Sequence, residues 1–159
     1  MTGRTDSASR LVAAPAAAAY AAQLDPGALA EWLPPDGMAL EVQRLEPRPG
    51  GAVEMVLTYV GADPTNAKSG ADRDVVRGRF VALEPGRRVV QDMDFVSDDP
   101  AYSGTMRMTW DIVPEGAGTR VTVTAENVPP GISAEDHAAG LNASLANLAR
   151  HLEAPLGRP

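Results

Sequence analysis

The strongest constraint in this sequence is an alternation of apolar and polar residues that recurs in five segments between residues 53 and 127. Successive side chains of a β-strand point to opposite faces, so this pattern predicts strands with one buried and one solvated face. Clusters of proline, glycine and aspartate separate the segments and indicate turns, one of them over residues 64–70. The members assigned to the buried face are Val53/Met55/Leu57/Tyr59, Val76/Gly78/Phe80/Ala82, Val89/Gln91/Met93/Phe95, Met106/Met108/Trp110/Ile112 and Val121/Val123/Ala125/Asn127. From residue 36 onward the sequence therefore predicts six antiparallel strands.

The hairpin around Pro85-Gly86 can be given a register from its turn. If these are the two central residues of the turn, Arg79 lies opposite Asp92 and Arg77 lies opposite Asp94. Opposite charges then face each other at both positions of the polar face.

The last hairpin can be treated in the same way. If Gly116-Ala117 form its turn, Arg107 faces Glu126 and Trp110 faces Val123. The charged pairs of both hairpins match in sign, which favours an outer face that is charged and exposed to water.

Helical segments flank the strand region. Ser9 to Ala14 is predicted as a first short strand, followed by an alanine-rich helix over Ala16 to Leu24 and a second helix over Ala28 to Leu33. A long helix is predicted from a cap at Ser133 to about Glu153. Its apolar residues have helical spacing and need an apolar sheet face as their partner. They are Ala138, Leu141, Leu145, Leu148 and Leu152.

These elements predict a single α+β domain. Its curved antiparallel sheet has about seven strands and wraps around the long C-terminal helix, with two short helices between the first and second strands. The domain is expected to cover residues 8–154, with a disordered N-terminal extension at residues 1–7 and a frayed C-terminus at residues 155–159.

The charge balance excludes several classes of partner. The chain has 14 Lys and Arg residues against 21 Asp and Glu residues, a formal net charge of −7. A protein needs clustered basic residues to bind nucleic acids or anionic membranes, and this sequence has no such cluster. No apolar run reaches the roughly 18 residues of a membrane span, and Met1 to Arg10 lacks the pattern of a signal peptide. With no cysteine for disulfides or thiolate chemistry, the expected compartment is the cytoplasm.

No catalytic, metal or cofactor motif emerges from the sequence. It has no phosphate loop, dinucleotide fingerprint or nucleophile elbow. His137 and His151 lie about 21 Å apart along the predicted helix, which is too far for one metal ion. The acidic residues from Asp92 to Asp99 lack the ligand spacing of a calcium loop. We therefore expect neither a metal nor a cofactor.

The inner face of the sheet is the main candidate for a binding site. Aromatic residues make up 4% of the chain, so methionine and aliphatic side chains must fill most of the space under the helix. Solid packing and a ligand cavity are both consistent with that composition. Two amides on this face, Gln91 and Asn127, need hydrogen-bond partners from the backbone, from water or from a ligand. The residues expected to line a pocket are Trp32, Met55, Phe80, Gln91, Met93, Met106, Met108, Trp110, Asn127, His137, Leu141 and Leu145.

Three positions have a structural interpretation beside the functional one. His137 lies near the expected cavity mouth, but is also explained as a surface histidine that Asp136 stabilises. Trp32 either anchors the short helices onto the sheet or forms a pocket wall. Gly140 costs about 1 kcal/mol relative to alanine inside a helix, which favours a close approach of the helix to the sheet.

Several stretches of the chain resemble a known family. They are Arg10 to Pro15, Asp25 to Met38, Gly78 to Leu83, Phe95 to Trp110 and Glu126 to Gly140, which together span nearly the whole chain. In these stretches the chain resembles the family of activators of the heat-shock protein 90 ATPase, and within it the bacterial single-domain branch. That branch belongs to the START-like superfamily. The resemblance implies the helix-grip fold, in which a long C-terminal helix and a curved sheet enclose a cavity. Many relatives carry Gly-Trp where this chain has Gly140-Leu141, so the helix wall is expected to be less filled here.

Three functions are consistent with these observations. The first is non-enzymatic binding of a small, largely apolar ligand between the helix and the sheet, with Asn127, Gln91 and His137 orienting its polar end. The resemblance implies a second, the stimulation of a heat-shock chaperone, although we expect a single domain here, without the additional domain that eukaryotic activators use. A third is a cyclase-like enzyme with His137 as acid or base. The resemblance supplies no catalytic residues, and we expect a monomer or a homodimer.

Overall fold

The alternating segments form one antiparallel sheet in the computed structural model, which describes residues 3–61, 67–68 and 72–153. The turn predicted over residues 64–70 lies largely outside these ranges, as does the predicted frayed end at residues 155–159. The helices and strands, in chain order, are β1 Arg4–Val12, α1 Ala16–Ala21, α2 Pro26–Trp32, β2 Met38–Leu45, β3 Ala52–Tyr59, β4 Arg73–Glu84, β5 Arg88–Phe95, β6 Met106–Glu115, β7 Gly118–Val128 and α3 Ala134–Glu153.

The first strand of the sheet, β1, pairs with the last strand, β7. The strand order is β1-β7-β6-β5-β4-β3-β2, so β1 and β2 form the two edges. The long helix α3 contacts both β1 and α2. The predicted class, an α+β domain whose seven-stranded sheet wraps around a C-terminal helix, is confirmed.

Local sequence signals begin two of the helices. α2 begins at Pro26, where the Asp25 carboxylate accepts a hydrogen bond from the Gly27 N–H at 3.1 Å. α3 begins after Ser133, whose hydroxyl oxygen accepts from the Asp136 N–H at 3.0 Å, as the predicted cap requires.

α1 ends earlier than predicted. Its last residue is Ala21 and not Leu24, because the chain tightens into hydrogen bonds that span three residues. The Gln23 N–H donates to the Tyr20 carbonyl at 3.0 Å, and the Leu24 N–H donates to the Ala21 carbonyl at 3.1 Å. This tight turn fixes the backbone that follows α1.

β1 begins earlier than predicted, at Arg4 and not at Ser9. The neighbouring strand β7 offers backbone partners as far as its last residue, Val128, which pairs with Arg4. Residues 4–7 therefore belong to the sheet and not to a disordered extension.

The β4–β5 hairpin has the predicted pairing of charges. Arg79 lies opposite Asp92 and Arg77 lies opposite Asp94. The register derived from the turn is therefore confirmed for this part of the hairpin.

The turn of the same hairpin differs from the prediction. Glu84 pairs with Arg88, so the connection is three residues long, Pro85 to Arg87. The register shifts between Phe80 and Ala82, where a β-bulge absorbs the additional residue. Beyond the bulge, away from the turn, the predicted pairing is correct. The additional residue in the turn and the bulge offset each other there.

The β6–β7 hairpin agrees with the prediction throughout. Arg107 pairs with Glu126 and Trp110 with Val123, with Gly116-Ala117 between the strands. Gly116 has a φ of 59°, as this type of two-residue turn requires.

Asp92 departs from the predicted solvated face, because its side chain is 11% exposed. Arg107 lies directly opposite Asp92 on β6, and its guanidinium donates to both carboxylate oxygens at 2.8 and 3.0 Å. The strand register still places Arg107 opposite Glu126 on its other side. Arg79 adds a longer contact of 3.5 Å. The hydrogen bonds from Arg107 hold the pKa of Asp92 below its ordinary value, against the effect of desolvation, and the Arg79 charge lowers it further.

Trp32 anchors the two short helices. Its side chain is fully buried, its indole N–H donates to the Ala22 carbonyl at 3.0 Å, and its ring meets Trp110 edge-on at 5.4 Å between centroids. Of the two interpretations of Trp32, the structure therefore supports the anchor.

The segment after α2 is also tied to α3. The Ser144 hydroxyl donates to the Leu33 carbonyl at 2.6 Å, and the Asn147 amide donates to the Pro34 carbonyl at 3.0 Å. These bonds satisfy backbone groups near the end of α2.

A charged cluster ties β1 to the start of α3. An Asp6 carboxylate oxygen lies 2.7 Å from Nδ1 of His137 and 2.9 Å from the guanidinium of Arg4, which also donates to the Ile132 carbonyl at 2.6 Å. Burial raises the pKa of Asp6, but the hydrogen bonds from Arg4 and His137 outweigh it and hold the pKa below its ordinary value. The link between β1 and α3 therefore depends on an ionised Asp6.

Replacing Trp32 tests the anchor. Trp32→Phe is expected to lower the free energy of unfolding by about 1–3 kcal/mol, because the Ala22 carbonyl loses its buried partner. Chemical denaturation measures the change. The matched variant Tyr20→Phe removes a hydroxyl from the half-buried side chain of α1 and is expected to change stability by less than about 0.5 kcal/mol. Equal losses in the two variants would contradict the anchor.

Asp6→Asn tests the charged cluster. The variant is expected to lower the free energy of unfolding by about 1–2 kcal/mol at neutral pH. Because the folded pKa of Asp6 lies below its ordinary value of 3.8, this stabilisation is complete above the unfolded pKa and is lost as the pH falls through the folded pKa. The difference between wild type and variant should thus shrink below about pH 4 in denaturation curves. The exposed Asp98→Asn serves as control, and a pH-independent difference for Asp6→Asn would contradict the assignment.

Candidate functional site

A cavity of about 620 Å³ lies between α3 and the inner face of the sheet. Strands β2 to β6 form one wall, the N-terminal half of α3 forms the other, and residues after α1 and within α2 contribute to its lining. Ligand sites in proteins commonly measure about 300–1,000 Å³. The mouth is defined here by the exposed lining residues Asp36, Gly131, Asp136 and Ala139.

Gly140 leaves space in the helix wall. It lines the cavity, and a Cβ placed on it would meet no atom within 4 Å. The predicted close approach of the helix to the sheet at this residue is therefore wrong. The neighbouring Leu141 also lines the cavity, so this turn of α3 presents a glycine and a leucine to the open volume.

Flexible apolar side chains cover the sheet wall. Met55 lies on β3, Met93 on β5, and Met106 and Met108 on β6, while Met38 adds a fifth methionine from β2. Methionine is unbranched and polarizable, so such a wall can adapt to ligands of different shape. Solid packing, the structural alternative that the composition left open, does not describe this part of the inner face.

The structure places eight of the predicted pocket residues on the cavity wall. They are Met55, Gln91, Met93, Met106, Met108, Trp110, His137 and Leu141. Three others, Trp32, Phe80 and Leu145, are fully buried in the packed core and do not line the cavity. They share the apolar surface with the wall residues, because alternation identifies a face without showing where along that face the packing ends.

Asn127 also lies away from the cavity. Its φ of 58° places it in the left-handed region, at a bulge between the pairs formed by Ala125 and Val128. The side-chain amide donates to the Thr105 carbonyl at 2.8 Å, and Val128 is buried in its place. The predicted inner-face position of Asn127 is therefore wrong.

A polar cluster that sequence reasoning missed lines the cavity at the ends of β3 and β4. Asp74 accepts from the Tyr59 hydroxyl at 3.2 Å, from the Lys68 N–H at 2.8 Å and from the Lys68 ammonium at 2.9 Å. The Lys68 ammonium also lies 5.1 Å from the centre of the Phe95 ring. Burial and the Asp74 carboxylate raise the pKa of Tyr59, so its hydroxyl remains a donor. Asp74 lies two residues before Val76 on β4, and therefore on the same face of the strand. Extending the predicted alternation by these two residues would have identified it.

His137 lines the cavity with a different partner from the one predicted. Its Nδ1 contacts Asp6 of β1, and not the neighbouring Asp136. The ionised carboxylate of Asp6 accepts a hydrogen bond from the Nδ1–H of His137. This bond fixes the orientation of the imidazole ring. The imidazole is mostly buried, with 13% of the side chain exposed.

Gln23 is a second residue that the sequence did not indicate. It lines the cavity, is 2% exposed, and its side-chain Nε2 has no hydrogen-bond partner among the described residues. Its position follows from the tight turn after α1, which no motif announces.

The remaining lining offers apolar contact rather than metal chemistry. Across the described ranges, no group of three or more His, Asp or Glu side chains is arranged to hold a metal ion. Within the same ranges, none of the helices has the length and apolar character of a membrane span. The arrangement can bury an apolar molecule and offer it a few polar contacts.

Comparison with protein families matches most of the chain to a known family. A family described as "Activator of Hsp90 ATPase homolog 1-like protein" matches residues 13–153. No curated protein is a significant match to the chain.

Several solved structures share the fold of this chain. A protein from Chromobacterium violaceum is 31% identical, covers 95% of this chain and 98% of its own, and superposes with a TM-score of 0.84. A protein from Rhodobacter sphaeroides is 22% identical, covers 97% and 96%, and has a TM-score of 0.77. A protein of the dynemicin biosynthetic locus is 18% identical over 96% of this chain and 48% of its own, with a TM-score of 0.67, and shares the fold alone. The resemblance seen in the sequence is confirmed, and the chain belongs to the family of activator of Hsp90 ATPase homolog 1-like proteins.

Proposed function

We propose that this protein is a non-enzymatic binding domain for a small, largely apolar ligand held between α3 and the sheet. The observation that carries the proposal is the open cavity of about 620 Å³ in a fold that serves a family of ligand-binding domains. A cytoplasmic location, which the cysteine-free composition favours, is part of the proposal.

Apolar burial supplies the driving force for binding. Each Å² of apolar surface removed from water contributes roughly 25 cal/mol, against which the ligand loses its translational and rotational freedom. The methionine wall and Leu141 provide that surface without a fixed shape. The ligand class is thus set more by size and polarity than by a rigid outline.

Polar groups on two walls would orient the ligand. Gln91 lies on β5 and is 9% exposed, and His137 faces the cavity from α3. Asn127, the third residue expected in this role, is not part of the proposal because its amide is engaged with Thr105.

Filling the space at Gly140 tests the site. In a titration with the uncharged fluorophore N-phenyl-1-naphthylamine, wild type is expected to bind and Gly140→Leu to bind about tenfold more weakly or not at all. Because a helix glycine is replaced by a better helix former, the same variant should unfold at an equal or higher temperature. A loss of folding therefore cannot imitate the expected result.

The control adds the same side chain to the same helix outside the cavity. Asn142→Leu changes an exposed residue that does not line the site, and should leave probe affinity unchanged. Equal affinity of wild type and Gly140→Leu would contradict the placement of the site.

A second experiment looks for the natural occupant of the cavity. Mass spectrometry of molecules extracted from the purified protein would identify it, and a blank extract would favour an empty, structural cavity.

The family match favours stimulation of a heat-shock chaperone as a second candidate. If the protein is a binding domain alone, adding it in excess to the host's heat-shock protein 90 should leave the ATPase rate unchanged. A clear, concentration-dependent increase in the steady-state rate would place chaperone stimulation first. The match to the protein of the dynemicin biosynthetic locus supports the fold alone, so a cyclase-like activity is not proposed.

A further inference from the structure

Gln23 is held in place before any ligand arrives. Its backbone N–H donates to the Tyr20 carbonyl at 3.0 Å, and the preceding residue, Ala22, accepts the buried indole N–H of Trp32 at 3.0 Å. With 2% of its surface exposed, the side chain has little freedom to leave the cavity wall. The position of the amide is therefore set by the packed core beside it.

The Gln23 amide carries an unused donor. Among the described residues, none forms a hydrogen bond with its Nε2. Buried donors without partners are rare, because the group loses its bonds to water and gains nothing in return. Gln23 lines the cavity, but Nε2 itself is covered by neighbouring atoms. An acceptor that enters the cavity beside Gln23 would restore the bond once the terminal amide turns Nε2 toward it.

The charges around the cavity favour an uncharged acceptor. Three carboxylates, Asp36, Asp74 and Asp136, contribute to the lining. The ammonium of Lys68 is already bound to Asp74 at 2.9 Å. An anionic ligand would meet this negative surface, and among the described lining residues Lys68 and His137 are already bound to Asp74 and Asp6, so burying a further negative charge would be costly.

A carbonyl oxygen fits this donor better than a hydroxyl group does. A ketone or ester carbonyl accepts a hydrogen bond and brings no donor of its own. A hydroxyl brings an O–H that needs its own acceptor. The carboxylates of the lining are poorly placed for it, because Asp36 and Asp136 lie at the mouth and Asp74 is already bound to Lys68 and Tyr59. The ligand would thus be largely apolar, with one carbonyl at the end that reaches Gln23.

We propose that Gln23 selects for an uncharged carbonyl compound by donating a hydrogen bond from Nε2 to the carbonyl oxygen. This inference rests on the proposed function, since it names the class of ligand that the cavity takes. It assigns Gln23 a binding role, in addition to the orienting roles of Gln91 and His137.

Two probes that differ at one position test the proposal. 2-Acetylnaphthalene and 2-ethylnaphthalene have nearly the same shape, but only the former has a carbonyl oxygen. Their dissociation constants are measured by displacement of N-phenyl-1-naphthylamine from wild type and from Gln23→Leu. The ratio of the two constants should shift by about five- to tenfold against the ketone in the variant, the effect of one net hydrogen bond. Comparing ratios cancels the different hydration of the two free probes.

The control is Gln43→Leu, which makes the same substitution at an exposed position of β2 and should retain the wild-type ratio. If both probes bind and Gln23→Leu keeps the wild-type ratio within twofold, the role of Gln23 is overturned while the binding function stands. The role of Gln23 is also overturned if the ratio of the two dissociation constants shifts in Gln91→Leu but not in Gln23→Leu. If neither naphthalene nor the fluorophore binds wild type, the proposed function itself fails. Thermal unfolding at or above the wild-type midpoint verifies that Gln23→Leu is folded.

Discussion

The packing of α3 against one face of the sheet is the constraint on which the rest of the structure depends. The C-terminal half of the helix buries Leu145 and Leu148 completely, whereas at Gly140 the helix faces open space. Core and cavity are therefore two parts of one interface. Atoms that border a void lose van der Waals contacts on one side, so the packed half must supply the stability that the open half lacks. The fully buried Trp32 and its edge-on contact with Trp110 lie in the packed core.

Where packing is absent, polar contacts hold the helix. Asp6 and His137 join β1 to the first turns of α3 at 2.7 Å, and Ser144 binds the Leu33 carbonyl at 2.6 Å. Such bonds are directional and act over short distances, so they position a helix without filling the volume beneath it. These bonds thus fix the helix on either side of the open volume.

The sequence contained most of the fold and less of the site. Alternation predicted the strands of the sheet, because it depends on their two-residue period. Turn positions predicted the register of the β6–β7 hairpin and of part of the β4–β5 hairpin. The bulges at Phe80 and Asn127 were not predicted, since a bulge depends on how two strands pair. Its trace in a single strand is one break in the alternation, such as the buried Val128 three residues after the buried Ala125. Asp74 was within reach of the same alternation. Gln23 was not, because its missing partner is a property of the packed structure.

Selectivity in such a cavity must come from a small number of side chains. Apolar burial is non-directional, so the methionine wall accepts many molecules of suitable size. Several polar groups of the lining are already committed: the Ser144 hydroxyl to a backbone carbonyl, and Asp74 to Lys68 and Tyr59. Committed groups are poor ligand contacts, because an existing bond has to break before a new one forms. An unpartnered amide has no such cost. Divergence at positions such as Gln23 would therefore change the ligand while the family fold, which the packed half of the interface maintains, stays the same.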